Sequence, residues 1–139
     1  MKVVLGNGTF RNRFPLSQNG TMTFLKSLFR SKAATSNQIE VLDKETYKKE
    51  IAKEEVQLVD VRTPKEYKGG HLAKAVNIDF FHHGSFRTAF EKFDKEKPVY
   101  LYCRSGQRSL KAAKKLISWG FTKVYDLEGG ILNWQKTEK

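Results

Sequence analysis

Among the side chains able to do covalent chemistry, Cys103 stands apart. It is the one cysteine in 139 residues, and Arg104-Ser105-Gly106-Gln107-Arg108-Ser109 follow it directly. A lone cysteine excludes an internal disulfide, a CxxC redox pair and any multi-cysteine metal site. The segment links an apolar run, Val99 to Tyr102, to an amphipathic stretch from about Gly106 to Trp119, so it reads as a turn between a buried strand and a helix. Successive backbone N–H groups in such a turn can face inward as an anion nest. The positive end of the helix and the charges of Arg104 and Arg108 would reinforce it, and the thiol is expected to ionise below its free value of about 8.5. The result would be a sulfur both negatively charged and accessible. The plain alternative is an inert cysteine ending a strand as a small apolar residue. Gly106, which permits tight curvature, and two arginines within five residues favour the anion site.

The elements that must hold this turn alternate from Ile39 onward. Ile39 to Leu42 reads as a strand, and Lys44 to about Lys53 as a helix capped by Asp43. Leu58-Val59-Asp60-Val61 is a buried strand. In Thr63-Pro64-Lys65-Glu66 the cap residue, the proline at the first helical position and the glutamate three residues on form a capping box, and Gly69-Gly70 ends the short helix. Ala75 to Ile78 reads as a strand. Ser85 to Phe93 reads as a helix with Phe86, Phe90 and Phe93 in the core, and Val99 to Tyr102 as a strand. The helix from about Gly106 to Trp119 is expected to turn Leu110, Ala113, Leu116 and Ile117 inward, with Gly120 at its end. Lys123 to Leu127 is the last strand and Ile131 to Lys136 a closing helix. This order predicts an α/β fold with a mostly parallel sheet covered by helices on both faces. Ligands bind such sheets beyond the carboxyl ends of the strands, where Cys103 lies.

The formal charge of +11 is uneven. Residues 1–37 hold six Lys or Arg and no acid, which leaves +5 for the remainder. The division expected is a basic, flexible tail over 1–37 and one folded domain over 38–139, since the length suits a single core. Within the tail, Phe24, Leu25, Leu28 and Phe29 would share one face of a short helix opposite Lys26 and Arg30, a pattern able to touch an anionic membrane weakly or pack on the domain. A loosely ordered tail is the simpler reading, and Met22 is an alternative start. No nucleic-acid-binding signature accompanies the charge, so no nucleic-acid partner is expected. No apolar run approaches the roughly 20 residues of a spanning helix. The absence of disulfides fits a reducing cytoplasm.

Three ordered motifs carry a family resemblance. Leu58 to Tyr67 with Gly70-His71-Leu72 and Ala75 to Ile78 resembles the first signature of the rhodanese family, Cys103 to Ser109 resembles its active-site loop, and Gly129-Gly130 with Trp134 resembles its carboxyl-terminal signature. The likeness runs from about Ile39 to Gln135. It implies the rhodanese-like fold, with about five strands in a central parallel sheet, and a sulfurtransferase that carries sulfur as a persulfide on Cys103. It implies no metal and no organic cofactor. Thiosulfate or a glutathione persulfide would be the small anionic donor, and a thiol or cyanide the acceptor. Backbone N–H groups of Arg104, Ser105, Gly106, Gln107, Arg108 and Ser109 would stabilise the anion in both half-reactions.

The resemblance also orders the alternatives. Related cell-cycle phosphatases and arsenate reductases carry one more residue between Cys and Arg, widening the loop for a tetrahedral oxyanion. Four residues between Cys103 and Arg108 suit one added sulfur better. A non-catalytic docking module is the other class, and an intact Cys103 counts against it. Arg104 is expected to face solvent and meet an anionic donor, while Arg108 either supports the loop or recruits the donor. Ser109 is expected to cap the helix, with a bond to the sulfur as the alternative. Asp60, Arg62 and Glu66 have the chemistry of acids and bases, but the resemblance makes them structural, with Asp60 supporting the active-site loop and Arg62 pairing locally. His71 is expected to be a framework histidine. His82 and His83 are too few for a metal site and would border the pocket.

Overall fold

The computed structural model describes residues 37–136. The expectations for the tail, its short helix and its membrane contact therefore lie outside the described residues, apart from the last tail position. Ten elements follow in order: β1 (Ile39–Leu42), α1 (Lys44–Ile51), β2 (Gln57–Asp60), α2 (Pro64–Lys68), β3 (Val76–Asn77), α3 (His83–Phe90), β4 (Val99–Tyr102), α4 (Gln107–Ser118), β5 (Val124–Leu127) and α5 (Gly130–Gln135). The strands form one sheet in the order β1-β5-β4-β2-β3. Each neighbouring pair is parallel, so the sheet is wholly rather than mostly parallel. No helix among the described residues is long and apolar enough to cross a membrane.

Alternation along β4 divides the core. Val99 and Leu101, continued by Cys103, face a cluster with Phe86, Phe90, Ala112, Ala113 and Leu116, whereas Tyr100 and Tyr102 face Tyr47, Leu72, Leu127 and Ile131. The chain thus delivers Cys103 to the α3/α4 side of the sheet through the period of two that any strand imposes. On α4 the buried residues are Ser109, Ala112, Ala113 and Leu116. Leu110 and Ile117, expected on this face, are only partly buried, because close approach to the sheet is made by the two alanines. The strand expected over 75–78 is cut to two residues, and α3 starts at His83 and ends at Phe90. Phe93 lies past the end of that helix but still packs 5.0 Å from the Phe90 ring, centroid to centroid.

The capping box forms as the spacing requires. Thr63 Oγ1 accepts from the Glu66 amide at 3.2 Å, and Glu66 Oε1 accepts from the Thr63 amide at 3.0 Å. This sets α2 beside the carboxyl end of β2, and Glu66 thereby faces the loop that follows β4.

Candidate active site

The loop from Cys103 to Gly106 leaves β4 and enters α4 through Gly106, whose φ of +109° is a conformation side chains disfavour. The bend brings the Gly106 N–H to 3.0 Å from Cys103 Sγ. The Ser109 N–H and the Ser109 hydroxyl each reach the same sulfur at 3.4 Å. Ser109 is thus not the cap expected for α4: it lies in the first turn, bonded to the sulfur and, at 3.2 Å, to the Gly106 carbonyl. Of the six amides expected to serve the sulfur, two do so. Those of Arg104, Ser105, Gln107 and Arg108 find no protein acceptor among the described residues. Cys103 itself is buried, 1% exposed, which corrects the expectation of an accessible thiol. The exposed members of its loop are Arg104, Ser105 and Gln107.

The carbonyls of the loop are held by α5. The Ile131 N–H donates to the Cys103 carbonyl at 2.9 Å and the Leu132 N–H to the Arg104 carbonyl at 3.1 Å. The approach is so close that a Cβ on Gly130 would lie 2.7 Å from the Cys103 carbonyl oxygen and would overlap the Arg104 carbonyl. Gly129-Gly130 was visible in the sequence as a motif. Its task, admitting one backbone against another, was not.

The charged residues separate into two groups. Arg104 is exposed and makes no ion pair among the described residues. Arg108 has its nitrogens on both oxygens of Glu66, at 2.8 and 3.0 Å, with its guanidinium 5.2 Å from the Phe81 ring centre. Of the two alternatives for Arg108, loop support and donor recruitment, this pairing is the observation that bears on the first. The Arg108 guanidinium, with help from the Thr63 amide, outweighs partial burial and holds the Glu66 carboxyl at about 2.

Asp60 and Arg62 form a buried pair, with Arg62 nitrogens at 2.7 and 3.0 Å from the carboxylate and a further bond to the Gly70 carbonyl at 2.7 Å. Burial alone would lower the guanidinium, but Asp60 reverses that and holds it above its ordinary value. Asp60 makes no hydrogen bond to residues 103–109. Its neighbour in the sheet is Tyr102, whose hydroxyl accepts from the Leu72 amide at 3.0 Å. His71 stacks on Tyr67 at 3.6 Å with Nδ1 at 2.8 Å from the Tyr67 carbonyl. His82 Nδ1 lies 2.7 Å from Ser85 Oγ, and no cluster of three metal-ligating side chains occurs among the described residues.

One residue escaped the sequence reading. Asp126 of β5 is 1% exposed, and its Oδ1 has no hydrogen-bond partner. An acidic residue inside an apolar strand, Val124-Tyr125-Asp126-Leu127, was the available signal.

Comparison with known proteins bears on the same residues. The Rhodanese-like domain family matches residues 43–137, which include every element from α1 to α5. The chain belongs to this family. Among curated relatives, the uncharacterised protein YqhL of Bacillus subtilis is 41% identical over 78 residues, covering 56% of this chain and 60% of YqhL. The senescence-associated protein DIN1 of Raphanus sativus is 34% identical over 99 residues, covering 65% of this chain and 54% of DIN1. The thiosulfate sulfurtransferase GlpE of Coxiella burnetii is 35% identical over 85 residues, covering 61% of this chain and 77% of GlpE. The match therefore spans little more than half of the first two relatives. Among solved structures, a rhodanese-like domain protein from Staphylococcus aureus superposes with a TM-score of 0.61 at 26% identity, covering 70% of this chain and 92% of that one. The human single-domain sulfurtransferase TSTD1 shares the fold, with a TM-score of 0.60 at 23% identity, covering 71% of this chain and 97% of that one.

Proposed function

We propose that this rhodanese-like protein is a sulfurtransferase that moves one sulfane sulfur from a small anionic donor to a thiophilic acceptor through a Cys103 persulfide. The observation that carries the reading is the arrangement of donors: a sulfur bonded by Gly106 and Ser109, in a loop whose four other amides lack protein acceptors among the described residues. Unpaired amides in a concave loop favour an anion with no reorganisation during reaction.

With thiosulfate as donor, the Cys103 thiolate attacks the outer sulfur, the donor S–S bond breaks, and its electron pair leaves on sulfite. A Cys103 persulfide anion remains. An acceptor thiolate or cyanide then attacks the terminal sulfur, giving a new persulfide or thiocyanate and returning the Cys103 thiolate. Charge and atoms balance without an external oxidant, and the two half-reactions give ping-pong kinetics. A glutathione persulfide would serve in the same way, with glutathione leaving. Arg104, exposed on the loop, attracts the donor, while Arg108 holds the loop. A catalytic thiol without a resolving partner suits a reducing compartment such as the cytoplasm.

The test is mass spectrometry after incubation with thiosulfate, followed by a thiocyanate assay on adding cyanide. One added sulfur on Cys103 and its loss to cyanide are expected, and Cys103→Ser should show neither. Absence of both in the wild type would favour a docking module, and hydrolysis of an aryl phosphate would favour a phosphatase. A chain starting at Ser36 should keep transfer to small acceptors.

A further inference from the structure

On the face of the sheet opposite the one that Cys103 joins, a cleft of about 480 Å³ opens between α1, the turn after His71 and α5. Its volume lies in the range that holds a small ligand. The apolar lining is Ile51, Leu72 and the half-buried indole of Trp134, which meets the Tyr47 ring edge to face at 6.3 Å, centroid to centroid.

The charges at this cleft are of one sign. Lys48 of α1 and Lys74 line it, and no carboxylate does so among the described residues. Neither lysine makes an ion pair there, and Glu50 of α1 is engaged by Lys53 and the Tyr100 hydroxyl. His71 adds a polar group of fixed direction. Its ring is stacked on Tyr67, with Nδ1 at 2.8 Å from the Tyr67 carbonyl. A carbonyl oxygen only accepts, so Nδ1 carries a proton, and in the neutral ring Nε2 is an acceptor with no partner among the described residues.

Lys74 stands at a backbone position that suits glycine. The Ala75 N–H donates to the Leu72 carbonyl at 3.1 Å, closing a turn in which Lys74 is the third residue, with a φ of +72°. Such a turn favours glycine there, and a longer side chain is strained. No hydrogen bond or ion pair of the Lys74 side chain among the described residues offsets that strain, so local stability does not account for an ammonium group at the cleft.

The geometry points to this cleft as a second binding site, for a phosphate monoester carried on a flat ring, the chemistry that a nucleoside monophosphate presents. Two ammonium groups match the charge of about −1.5 to −2 that a phosphate monoester bears at neutral pH. The indole of Trp134 offers a surface on which a ring can pack, and His71 Nε2 can accept from an amino group on that ring. Free phosphate lacks the ring contacts, and a nucleoside lacks the charge. The lining shares no residue with the Cys103 loop, so the inference stands apart from the sulfur-transfer reading.

The experiment is calorimetric titration of the full chain with adenosine monophosphate, adenosine and inorganic phosphate, with the Trp134 indole N–H followed by NMR. Saturable binding of the monophosphate with a Kd below about 1 mM and a shift of the Trp134 signal are expected, adenosine and phosphate each binding at least about tenfold more weakly. Lys48→Ala and Lys74→Gly should each weaken the monophosphate by about fivefold or more. Both lysines are exposed, so neither substitution threatens the fold. Lys74→Gly should also unfold no earlier than the wild type, because it relieves the turn. Arg104→Ala, at the Cys103 loop, should bind the monophosphate as the wild type does. The absence of saturable binding, or equal binding of adenosine or of phosphate alone, overturns the proposal. So does binding that is lost in Arg104→Ala and retained in both lysine variants, since the phosphate would then sit at the Cys103 loop.

Discussion

Glu66 and Arg108, 42 positions apart, meet through two parallel hydrogen bonds of 2.8 and 3.0 Å. The same carboxylate accepts from the Thr63 amide at 3.0 Å. A helix cap near β2 and the loop after β4 are therefore held by one side chain.

Removing that charge has a signed pH dependence. The Glu66 carboxyl lies at about 2 in the folded protein against an ordinary 4.5, so its contribution is present above the ordinary value and lost as pH falls toward about 2. Glu66→Gln should lower stability by roughly 1–2 kcal/mol at neutral pH, after allowing for partial exposure of the pair. Urea unfolding would show the gap between wild type and variant closing in acid.

The two loop arginines should separate cleanly. Arg104→Ala removes an exposed charge, so it should raise KM for thiosulfate several-fold, less so at high salt, and leave the unfolding free energy within about 0.5 kcal/mol. Arg108→Ala strands Glu66 and should instead cost stability, roughly 1–3 kcal/mol. Kinetics and denaturation on both variants would expose any exchange of these roles.

Gly130→Ala should damage the site without touching a reactive group. A Cβ there collides with the Cys103 and Arg104 carbonyls, and the residue has a φ of +64°. Relief requires α5 to withdraw, which frees the carbonyls that Ile131 and Leu132 hold. Sulfur transfer should fall by about tenfold or more, with loss of roughly 1–3 kcal/mol of stability. Full activity in this variant would show that the loop does not depend on α5.

Asp126 predicts a stability change of opposite sign to Glu66. Its carboxyl is raised from 3.8 to about 7, so the protonated form is favoured by folding and stability declines as pH rises between those values. Asp126→Asn should match the wild type near pH 4 and exceed it by roughly 2–4 kcal/mol above pH 7. Thermal unfolding at both ends of that range measures the difference.

The local sequence was sufficient wherever one stretch of chain contains both cause and effect. The capping box of Thr63 and Glu66 closes within four residues, strand–helix alternation follows from hydrophobic period, and the turn after β4 follows from apolar residues, cysteine and glycine in succession. Helix limits were less legible. The start of α3 at His83 and the rotation of α4 toward Ala112 depend on what packs against them, and periodicity alone does not supply that.

Sequence by itself determined that one cysteine would end a strand, enter a tight turn into a helix and do so in a parallel α/β sheet. Tertiary structure decided which groups surround it: Glu66 claims Arg108, Arg62 claims Asp60, and Gly130 brings α5 onto the loop carbonyls. The physical reason is range. Propensity and pattern act over a few residues, whereas hydrogen bonds, steric contact and desolvation depend on distance in space, and for these pairs the folded sheet alone sets that distance.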